Sequence, residues 1–164
     1  MIYMFFREFK DKDAKFCFTT RCSSFVEKFY DEIGAKAVST GINAYLPEDY
    51  ITISKKSKIF IIEDDSKKIG FITIKKVDEK TAEISFLYIN LAYLGKGYGK
   101  KLIQFTENWV KNNWIDVITI FLDTIVQDYN GGFYRKMDYK EIGDSVCQYD
   151  DYSVKARRFE KKIK

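Results

Sequence analysis

Three glycines at alternate positions are the residues of this chain whose type and spacing point most directly to chemistry. Gly95, Gly97 and Gly99 follow a predicted strand over 81–89 and precede a predicted helix over 102–111. Because glycine carries no side chain, the N–H groups of this loop can point into one space at the first turn of the helix. Unpaired N–H groups, the positive end of the helix dipole and the lysines that follow all attract phosphate. The sequence therefore predicts a binding site for a ligand that carries a diphosphate.

The composition excludes several other kinds of site. The 164 residues include no histidine, which removes every His-based triad, every His general base and every Cys/His zinc site. The net charge of +4 is spread along the chain without a concentrated basic stripe, so no nucleic-acid partner is expected. Three scattered cysteines, Cys17, Cys22 and Cys147, make a poor metal site and no disulfide framework. We therefore predict no metal ion and a reducing, cytoplasmic location.

The length and the lack of Pro/Ser-rich linkers, repeats and low-complexity tracts predict a single domain over 1–164. The apolar start of the chain is too short for a signal sequence. No window approaches the ~18 apolar residues of a membrane helix, so no membrane partner is expected.

Hydrophobic periodicity and capping residues predict an α/β protein (an α+β mixed sheet) with the element order βααβββαβαββ. The first helix is expected to end near Gly34, an irregular stretch over 35–46 follows, and Pro47 opens the second helix. A β-α-β crossover joins strand 81–89 to strand 117–126 in parallel, and the other strands pair antiparallel. The remaining predicted elements are strands 3–9, 58–63, 68–77, 139–148 and 152–162, and helices 47–56, 102–111 and 130–137.

The strand and the glycine loop together resemble the acetyl-CoA loop of the GNAT superfamily of N-acetyltransferases. Family members often read L-Y-V-x-P-x-Y-R-G-K-G-I-G-x-x-L, and residues 87–102 read LYINLAYLGKGYGKKL, in step and without gaps. A second family signature, similar to F-Y-E-K-x-G-F, appears as FYRKMDY over 133–139. The glycine spacing differs from the Rossmann fingerprint and from the P-loop. The two motifs and the predicted element order make the chain similar to this family over nearly its whole length.

The resemblance implies the GNAT fold, acetyl-CoA as co-substrate, and direct transfer of its acetyl group to a primary amine of a small molecule or protein. Many family members are dimers, so a homodimer is the expected assembly. Two alternatives remain open: a non-catalytic acyl-CoA sensor or scaffold with the same fold, and a nucleotide-binding domain of another class. The glycine spacing argues against the second alternative.

Four positions depart from the family pattern. Leu91 replaces a frequent Pro, and Leu94 replaces the usual Arg or Gln, which removes one side-chain contact near the pyrophosphate. Asp138 replaces a Gly, and Gln127 replaces an Asn that often contacts the pantetheine arm. Backbone N–H groups remain able to bind the pyrophosphate. The cofactor-binding residues that the resemblance implies are Leu87, Tyr88, Ile89, Leu94, Gly95, Lys96, Gly97, Tyr98, Gly99, Lys100, Gln127, Asn130 and Lys136.

The lysines among these residues have a second interpretation. Lys100 and Lys136 either reach phosphate groups of CoA or are ordinary solvated lysines, and the sequence does not decide between the two. Cys147, on a late strand, is interpreted as a buried structural thiol rather than a covalent acyl relay.

The reaction that the resemblance implies is attack of an amine on a thioester. An amine with a pKa near that of lysine, about 10.4, is protonated at neutral pH, so a base must take its proton, often through water. The family supplies an N–H donor for the oxyanion from the strand before the glycine loop, here near Ile89. Tyr134 aligns with the family's tyrosine acid, and Glu83 lies where the histone acetyltransferase branch has its glutamate base. Tyr134 as a packing aromatic, Glu83 as an ordinary polar-face residue, and a water chain as the base are the alternatives.

Strand alternation predicts two faces for residues 81–89. One face is expected to hold Ala82, Ile84, Phe86 and Tyr88, and the opposite face Glu83 and Ser85.

The acceptor site in this fold is walled by the segment between the first two helices and by the link between the last two strands, here about 31–50 and 143–152. Acidic groups near aromatic rings favour a cationic amine such as a polyamine, an amino sugar or a lysine side chain. Acidic loops also serve solubility, so the acceptor stays open. The side chains concerned are Asp31, Glu32, Glu48, Asp49, Asp144, Asp150 and Asp151, with Tyr45, Tyr50 and Tyr149.

Overall fold

A computed structural model describes residues 3–125 and 130–164. The strands are β1 (Met4–Glu8), β2 (Lys58–Asp64), β3 (Lys67–Lys76), β4 (Thr81–Ile89), β5 (Thr119–Ile125), β6 (Lys140–Tyr149) and β7 (Tyr152–Lys162). The helices are α1 (Ala14–Asn43), α2 (Pro47–Ser54), α3 (Tyr98–Asn113) and α4 (Gly131–Arg135), with short 3-10 turns at Asp11–Asp13 and Leu91–Tyr93. This sequence of strands and α-helices confirms the predicted order.

The strands form one mixed sheet in the order β1-β2-β3-β4-β5-β7-β6. Only β4 and β5 pair in parallel, and the described neighbours on either side pair antiparallel. The β4–α3–β5 crossover therefore has the predicted topology. No helix in the described part of the chain is both long and apolar enough to cross a membrane.

Helices cover both faces of the sheet. α3 packs on one face, where Leu102 joins a buried core with Ile72 and Ile120. α1 and α2 pack on the opposite face, where the rings of Tyr50 and Phe71 lie 5.8 Å apart between centroids. Each fully buried aliphatic or aromatic side chain stabilises the fold by about 1.5–3 kcal/mol relative to an exposed one. The two cores fix the sheet between the helices, which leaves the strand ends at its centre to form a cleft.

The parallel pairing of β4 with β5 is short. It covers three residue pairs, Thr81 with Thr119, Ala82 with Ile120, and Glu83 with Phe121. Beyond these pairs β4 stays bonded to β3 and β5 stays bonded to β7, so the two strands diverge. Among the described residues, the β5-facing side of β4 therefore has no strand partner from residue 84 onward.

A β-bulge at Ser85 explains the direction that β4 takes. Ile84 pairs with Ile74 on β3, and Phe86 pairs with the preceding residue, Thr73, so Ser85 has no partner of its own. A bulge adds one residue to one strand, bends that strand and increases its twist. The bend carries the second half of β4 away from β5.

The bulge also makes the predicted faces of β4 wrong. Ala82 and Ile84 belong to the core under α3, whereas Phe86 and Tyr88 pack on the opposite face with the α1 and α2 core. Simple alternation places all four on one face, but an extra residue shifts the period-2 pattern by one position. Ser85 is the residue at which the pattern changes.

The first helix continues past the predicted end. Gly34 has non-helical dihedrals (φ 81°, ψ 164°) and marks a break, but the chain is helical again up to Asn43. The predicted irregular stretch over 35–46 is therefore wrong for residues 35–43, whereas residues 44–46 link α1 to α2 without helical structure. Val38 in the second part packs with Phe25 and Phe29 of the first part, and this tertiary packing stabilises a turn whose local sequence is not strongly helical.

Candidate active site

A cavity of about 450 Å³ opens where β4 leaves β5. Its walls come from the second half of β4, the glycine loop, the first turn of α3, α4 and one face of α1. The structure brings together all the predicted cofactor residues except Lys96 and Gln127, and Gln127 lies outside the described residues. The lining residues are Ser24, Lys28, Leu87, Tyr88, Ile89, Tyr93, Leu94, Gly95, Gly97, Tyr98, Gly99, Lys100, Asn130, Phe133, Tyr134, Lys136 and Met137.

The glycine loop begins α3 in a shape that only glycines adopt without strain. Gly95 and Gly97 have positive φ angles of 75° and 81°, in the left-handed region. Gly97 is the N-cap, and the N–H of Lys101 donates to its carbonyl at 3.1 Å. The preceding N–H groups, of Tyr98, Gly99 and Lys100, are the unpaired donors of the first turn. All three residues line the cavity, where the sequence predicts a phosphate site.

Gly99 serves a different purpose from the other two glycines. A Cβ atom added there would lie 3.2 Å from Cζ of Phe133 on α4. The missing side chain therefore lets α4 approach the first turn of α3 closely. This close approach closes one side of the cavity.

Two of the predicted lysines separate in the structure. Lys100 lines the cavity, whereas the ammonium of Lys96 lies over the ring of Tyr93, 5.3 Å from its centroid, and Lys96 does not line it. Leu94 lines the cavity and remains 44% exposed. Its apolar side chain offers no hydrogen bond, so recognition of phosphate depends on the backbone of the loop and on nearby lysines.

The hydroxyl of Tyr98 makes a hydrogen bond within the protein. It donates a short hydrogen bond to the Asp64 carboxylate at the end of β2. This bond raises the pKa of Tyr98, because the ionised phenol would lie against a carboxylate. The bond ties the first turn of α3 to the sheet, so Tyr98 shapes the cavity with its ring and its backbone.

A second, smaller cavity of about 110 Å³ continues from the first along the cleft between β4 and β5. The residues that line both cavities are Lys28, Leu87, Tyr88, Asn130 and Tyr134. These residues mark the junction of the two cavities.

Tyr134, the predicted acid, lies at this junction. Its ring packs against those of Phe159 and Tyr139, with centroids 5.7 Å and 6.2 Å away. The Tyr139 hydroxyl in turn donates to the buried Glu107 carboxylate on α3 at 2.9 Å, and Lys161 donates to the same carboxylate. A packed aromatic ring with a buried network behind it has few alternative rotamers, which suits a group that must hold a fixed position.

Glu83, the predicted base, lines neither cavity. It lies on β4 opposite Phe121, before the point at which the strands diverge. Burial raises the pKa of Glu83, and Lys75 on the neighbouring strand opposes this shift. Glu83 therefore has no place in the lining of either cavity, although Asp123, which acts on it electrostatically, lines the second.

Several residues of the second cavity were not predicted as site residues. Asp123 on β5 lines it, with both carboxylate oxygens bound by Arg158 at 2.9 Å and 2.8 Å. Cys147 on β6 also lines it, and burial raises the pKa of its thiol to about 11, which keeps the thiol protonated near neutral pH. Ser24 and Lys28, both on α1, line the first cavity. Their i, i+4 spacing was the only sequence signal for them, and it does not identify a ligand.

The acidic side chains that favoured a cationic acceptor are elsewhere. Of those whose side chains are described, none lines either cavity. Asp49 accepts from the N–H of Leu46 and caps α2, and Asp144 pairs with Arg157. Tyr149 lines the second cavity, as expected of an acceptor wall. The sequence-based argument for a cationic amine therefore has no support in the described site.

The departure at Asp138 has a simple explanation. Its φ is 67°, in the left-handed region, where a glycine is the usual residue. Asp and Asn tolerate this region better than other side chains do. The turn after α4 thus keeps the shape that glycine gives it in the family.

The structure is thus a mixed sheet that splits beside a glycine-rich helix start, with a cavity in the split. The model of the acetyltransferase (GNAT) family matches residues 19–139 of this sequence. The chain therefore belongs to the GNAT family of acetyltransferases, which uses acetyl-CoA as its co-substrate. No curated protein sequence matches the chain significantly.

Solved structures show the same fold at low sequence identity. The PaiA N-acetyltransferase from Thermoplasma acidophilum, in complex with coenzyme A, is 20% identical over 98% of this chain and 99% of that chain, with a TM-score of 0.76. A GCN5-related N-acetyltransferase from Rhodopseudomonas palustris has a TM-score of 0.82 at 15% identity, and the match covers 96% of this chain and 94% of that chain. A spermidine N-acetyltransferase from Vibrio cholerae has a TM-score of 0.70 at 15% identity, and the match covers 98% of this chain and 94% of that chain.

Proposed function

We propose that this protein transfers the acetyl group of acetyl-CoA to a primary amine by direct attack of the amine on the thioester. The observation that carries the proposal is the junction of the two cavities. One cavity has the unpaired donors of a phosphate site, the other opens along the cleft, and Tyr134 lines both. Assembly as a homodimer and a cytoplasmic location stay predictions from the sequence.

The first turn of α3 holds the diphosphate, and β4 holds the arm that carries the thioester. Because β4 has no described strand partner on its β5 side beyond Glu83, the backbone groups that point to that side remain available to a ligand up to Ile89, while those on the other side bond to β3. An N–H near Ile89 would stabilise the negative charge that develops on the thioester oxygen during attack. Preorganised donors of this kind commonly contribute about 10²–10³-fold to the rate.

The hydroxyl of Tyr134 donates the proton that the departing thiolate needs. A phenol hydroxyl can act as a general acid and donate its proton to a thiolate. The transfer requires only that the hydroxyl reach the sulfur at the junction.

Water takes the proton from the amine and passes it on to Glu83, which is the final acceptor. The distance of Glu83 from the cavities argues against direct contact with the amine. A water chain with no side-chain base is the alternative within the same reaction.

The test is a panel of amines incubated with acetyl-CoA, read by release of free thiol. The panel holds amino acids, their decarboxylated amines, a polyamine such as spermidine, an amino sugar and a lysine peptide. We expect thiol release with at least one amine, and mass spectrometry should find the acetyl group on its nitrogen. Acetyl-CoA binding by calorimetry without release for any amine would contradict the proposal and favour an acyl-CoA sensor.

A further inference from the structure

Arg21 on α1 is fully buried and carries a charge that no carboxylate of the described residues balances. Its side chain is 0% exposed, and its Nη2 donates to the carbonyl of Gly41 at 2.6 Å. Its Nε and Nη1 have no hydrogen-bond partner among the described residues. No ion pair joins Arg21 to a carboxylate within residues 3–125 and 130–164. Buried charges in proteins are normally paired, because removing an ion from water is costly.

The groups around this guanidinium are mostly donors and rings. It lies over the rings of Phe25, Tyr45 and Phe86, at 4.6 Å, 5.0 Å and 5.5 Å from their centroids. The hydroxyl of Tyr50 is also buried and has no partner in the described chain. The rings partly offset the cost of the buried charge but accept no hydrogen bond from Nε or Nη1. The Tyr88 phenol also lies within hydrogen-bonding range of the guanidinium, but it is a neutral group. Among the described residues, the chamber formed by Arg21 and these tyrosine and phenylalanine rings therefore holds no carboxylate to balance the charge.

This chamber adjoins the proposed acceptor cavity. Phe86, Tyr88 and Tyr149 line that cavity, and the phenol groups of Tyr88 and Tyr149 also lie near the Arg21 guanidinium. The cavity measures about 110 Å³, and ordinary ligand sites measure about 300–1,000 Å³. An acceptor larger than this cavity displaces part of its lining, and Phe86, Tyr88 and Tyr149 are lining residues that also lie near Arg21.

We infer that Arg21 and Tyr50 form a subsite for a carboxylate, so that the acceptor is an amine that also carries a carboxylate, such as an amino acid. This inference rests on the proposed acetyl transfer. A carboxylate would supply the acceptor atoms that Nε, Nη1 and the Tyr50 hydroxyl lack and would neutralise the guanidinium. The acidic residues of the loops do not oppose it, because those described line neither cavity.

The experiment compares amino acids with their decarboxylated amines in the wild type, in Arg21→Met and in Arg21→Lys. In the wild type, kcat/KM for the amino acid is expected to exceed that of the matched amine by about tenfold to a hundredfold, as for a hydrogen bond to a charged group. Arg21→Met should remove this difference through KM of the amino acid, and Arg21→Lys should retain part of it. Lys15→Met, which removes an exposed charge from the same helix, should leave the difference unchanged.

The melting temperature separates this role from a structural one. Loss of an unpaired buried charge should leave the melting temperature of Arg21→Met equal to or above that of the wild type. If Arg21 only joins the two parts of α1 through Gly41, the variant should melt lower and lose activity equally on both kinds of amine. That result, or equal use of amino acids and decarboxylated amines by the wild type, would overturn the inference while acetyl transfer stands.

A binding measurement decides the inference if no amine is acetylated. The probes are N-acetyl amino acids and the matching N-acetyl amines, added to protein loaded with CoA, with the thermal shift as the readout. A shift by the carboxylates alone, absent in Arg21→Met, supports the subsite even though the proposed function has failed. No shift, or an equal shift by both kinds of probe, overturns it.

Discussion

The cofactor cavity and the acceptor cavity share a wall but are built in different ways. Most of the cofactor cavity comes from one continuous segment, 87–100, whose backbone supplies the donors. The acceptor cavity is assembled from side chains on α1, β4, β5 and β6, which are far apart in the sequence. Ligand recognition by backbone N–H groups tolerates a side-chain change such as Leu94 in place of the usual Arg or Gln. Ligand recognition by side chains depends on each residue that tertiary packing brings to the cavity.

Ser85 marks the point at which β4 leaves β5. Before it, β4 pairs with β5, and after it the strand turns away and exposes its backbone. The same bulge places Tyr88 on the α1 side, next to both Arg21 and the acceptor cavity. One extra residue in a strand thus creates the cleft and selects the side chains that face it.

Tyr134→Phe tests the junction, where the two regions meet, and should have the largest effect. We expect kcat to fall by about 10²-fold or more, in the range for loss of a general acid, with the Kd of acetyl-CoA unchanged. Steady-state kinetics and calorimetry measure the two quantities. Tyr30→Phe, on an exposed part of α1, is the matched control. An unchanged kcat would mean that Tyr134 is a packing residue.

Glu83→Gln tests whether the acceptor half supplies the base. Because burial raises the pKa of Glu83, a Glu83 base loses its ionised form, and the enzyme its activity, as pH falls through a value above the ordinary one. The variant should lack this acidic limb and lose about tenfold in kcat, less than a base in direct contact would cost.

The stability of Glu83→Gln provides the control. A raised pKa in the folded state means that folding favours the protonated carboxyl, so the ionised form is destabilising above that pKa. The melting temperature of the variant at neutral pH should equal or exceed that of the wild type. A wild-type acidic limb that persists in the variant would assign the base to water or to another group.

Gly99→Ala tests the cofactor half. The new methyl group would lie 3.2 Å from Phe133, which must move into the cavity or away from it. We expect acetyl-CoA to bind about five- to tenfold more weakly, a loss of about 1–1.4 kcal/mol. Gly132→Ala on α4, where a Cβ meets nothing within 4 Å, should bind acetyl-CoA as the wild type does. Equal affinities for both variants would show that the close approach of α4 is not needed.

The smallest effect is expected from a comparison of Lys100→Met with Lys96→Met. Of these two lysines, only Lys100 lines the cavity. Its loss should weaken acetyl-CoA binding about two- to fivefold, as for an exposed ion pair, and less at high salt. Lys96→Met should bind normally. Calorimetry at two salt concentrations measures both. Equal losses would mean that the lysines act through the general field of the surface.

Most of the fold and the cofactor cavity were predictable, because both depend on local signals. Gly95 and Gly97 signal positive φ angles, which glycine adopts without strain. The first turn of a helix has unpaired N–H donors whatever surrounds it. The helical segment 35–43 was missed because packing of Val38 on Phe25 and Phe29, rather than local propensity, holds it. The predicted faces of β4 were wrong because no residue type in this segment indicates the bulge at Ser85.

The sequence by itself determined the order of the elements, the family and the co-substrate, since these follow from periodicity and from two motifs in continuous segments. Only the tertiary structure decided that Lys100 lines the cavity and Lys96 does not, and that Glu83 lies outside it. It also decided that Arg21 is buried beside the proposed acceptor cavity without a carboxylate partner in the described chain. The physical reason is that a local motif fixes backbone geometry within a few residues. Burial and charge pairing are set by residues that folding brings together from distant parts of the chain.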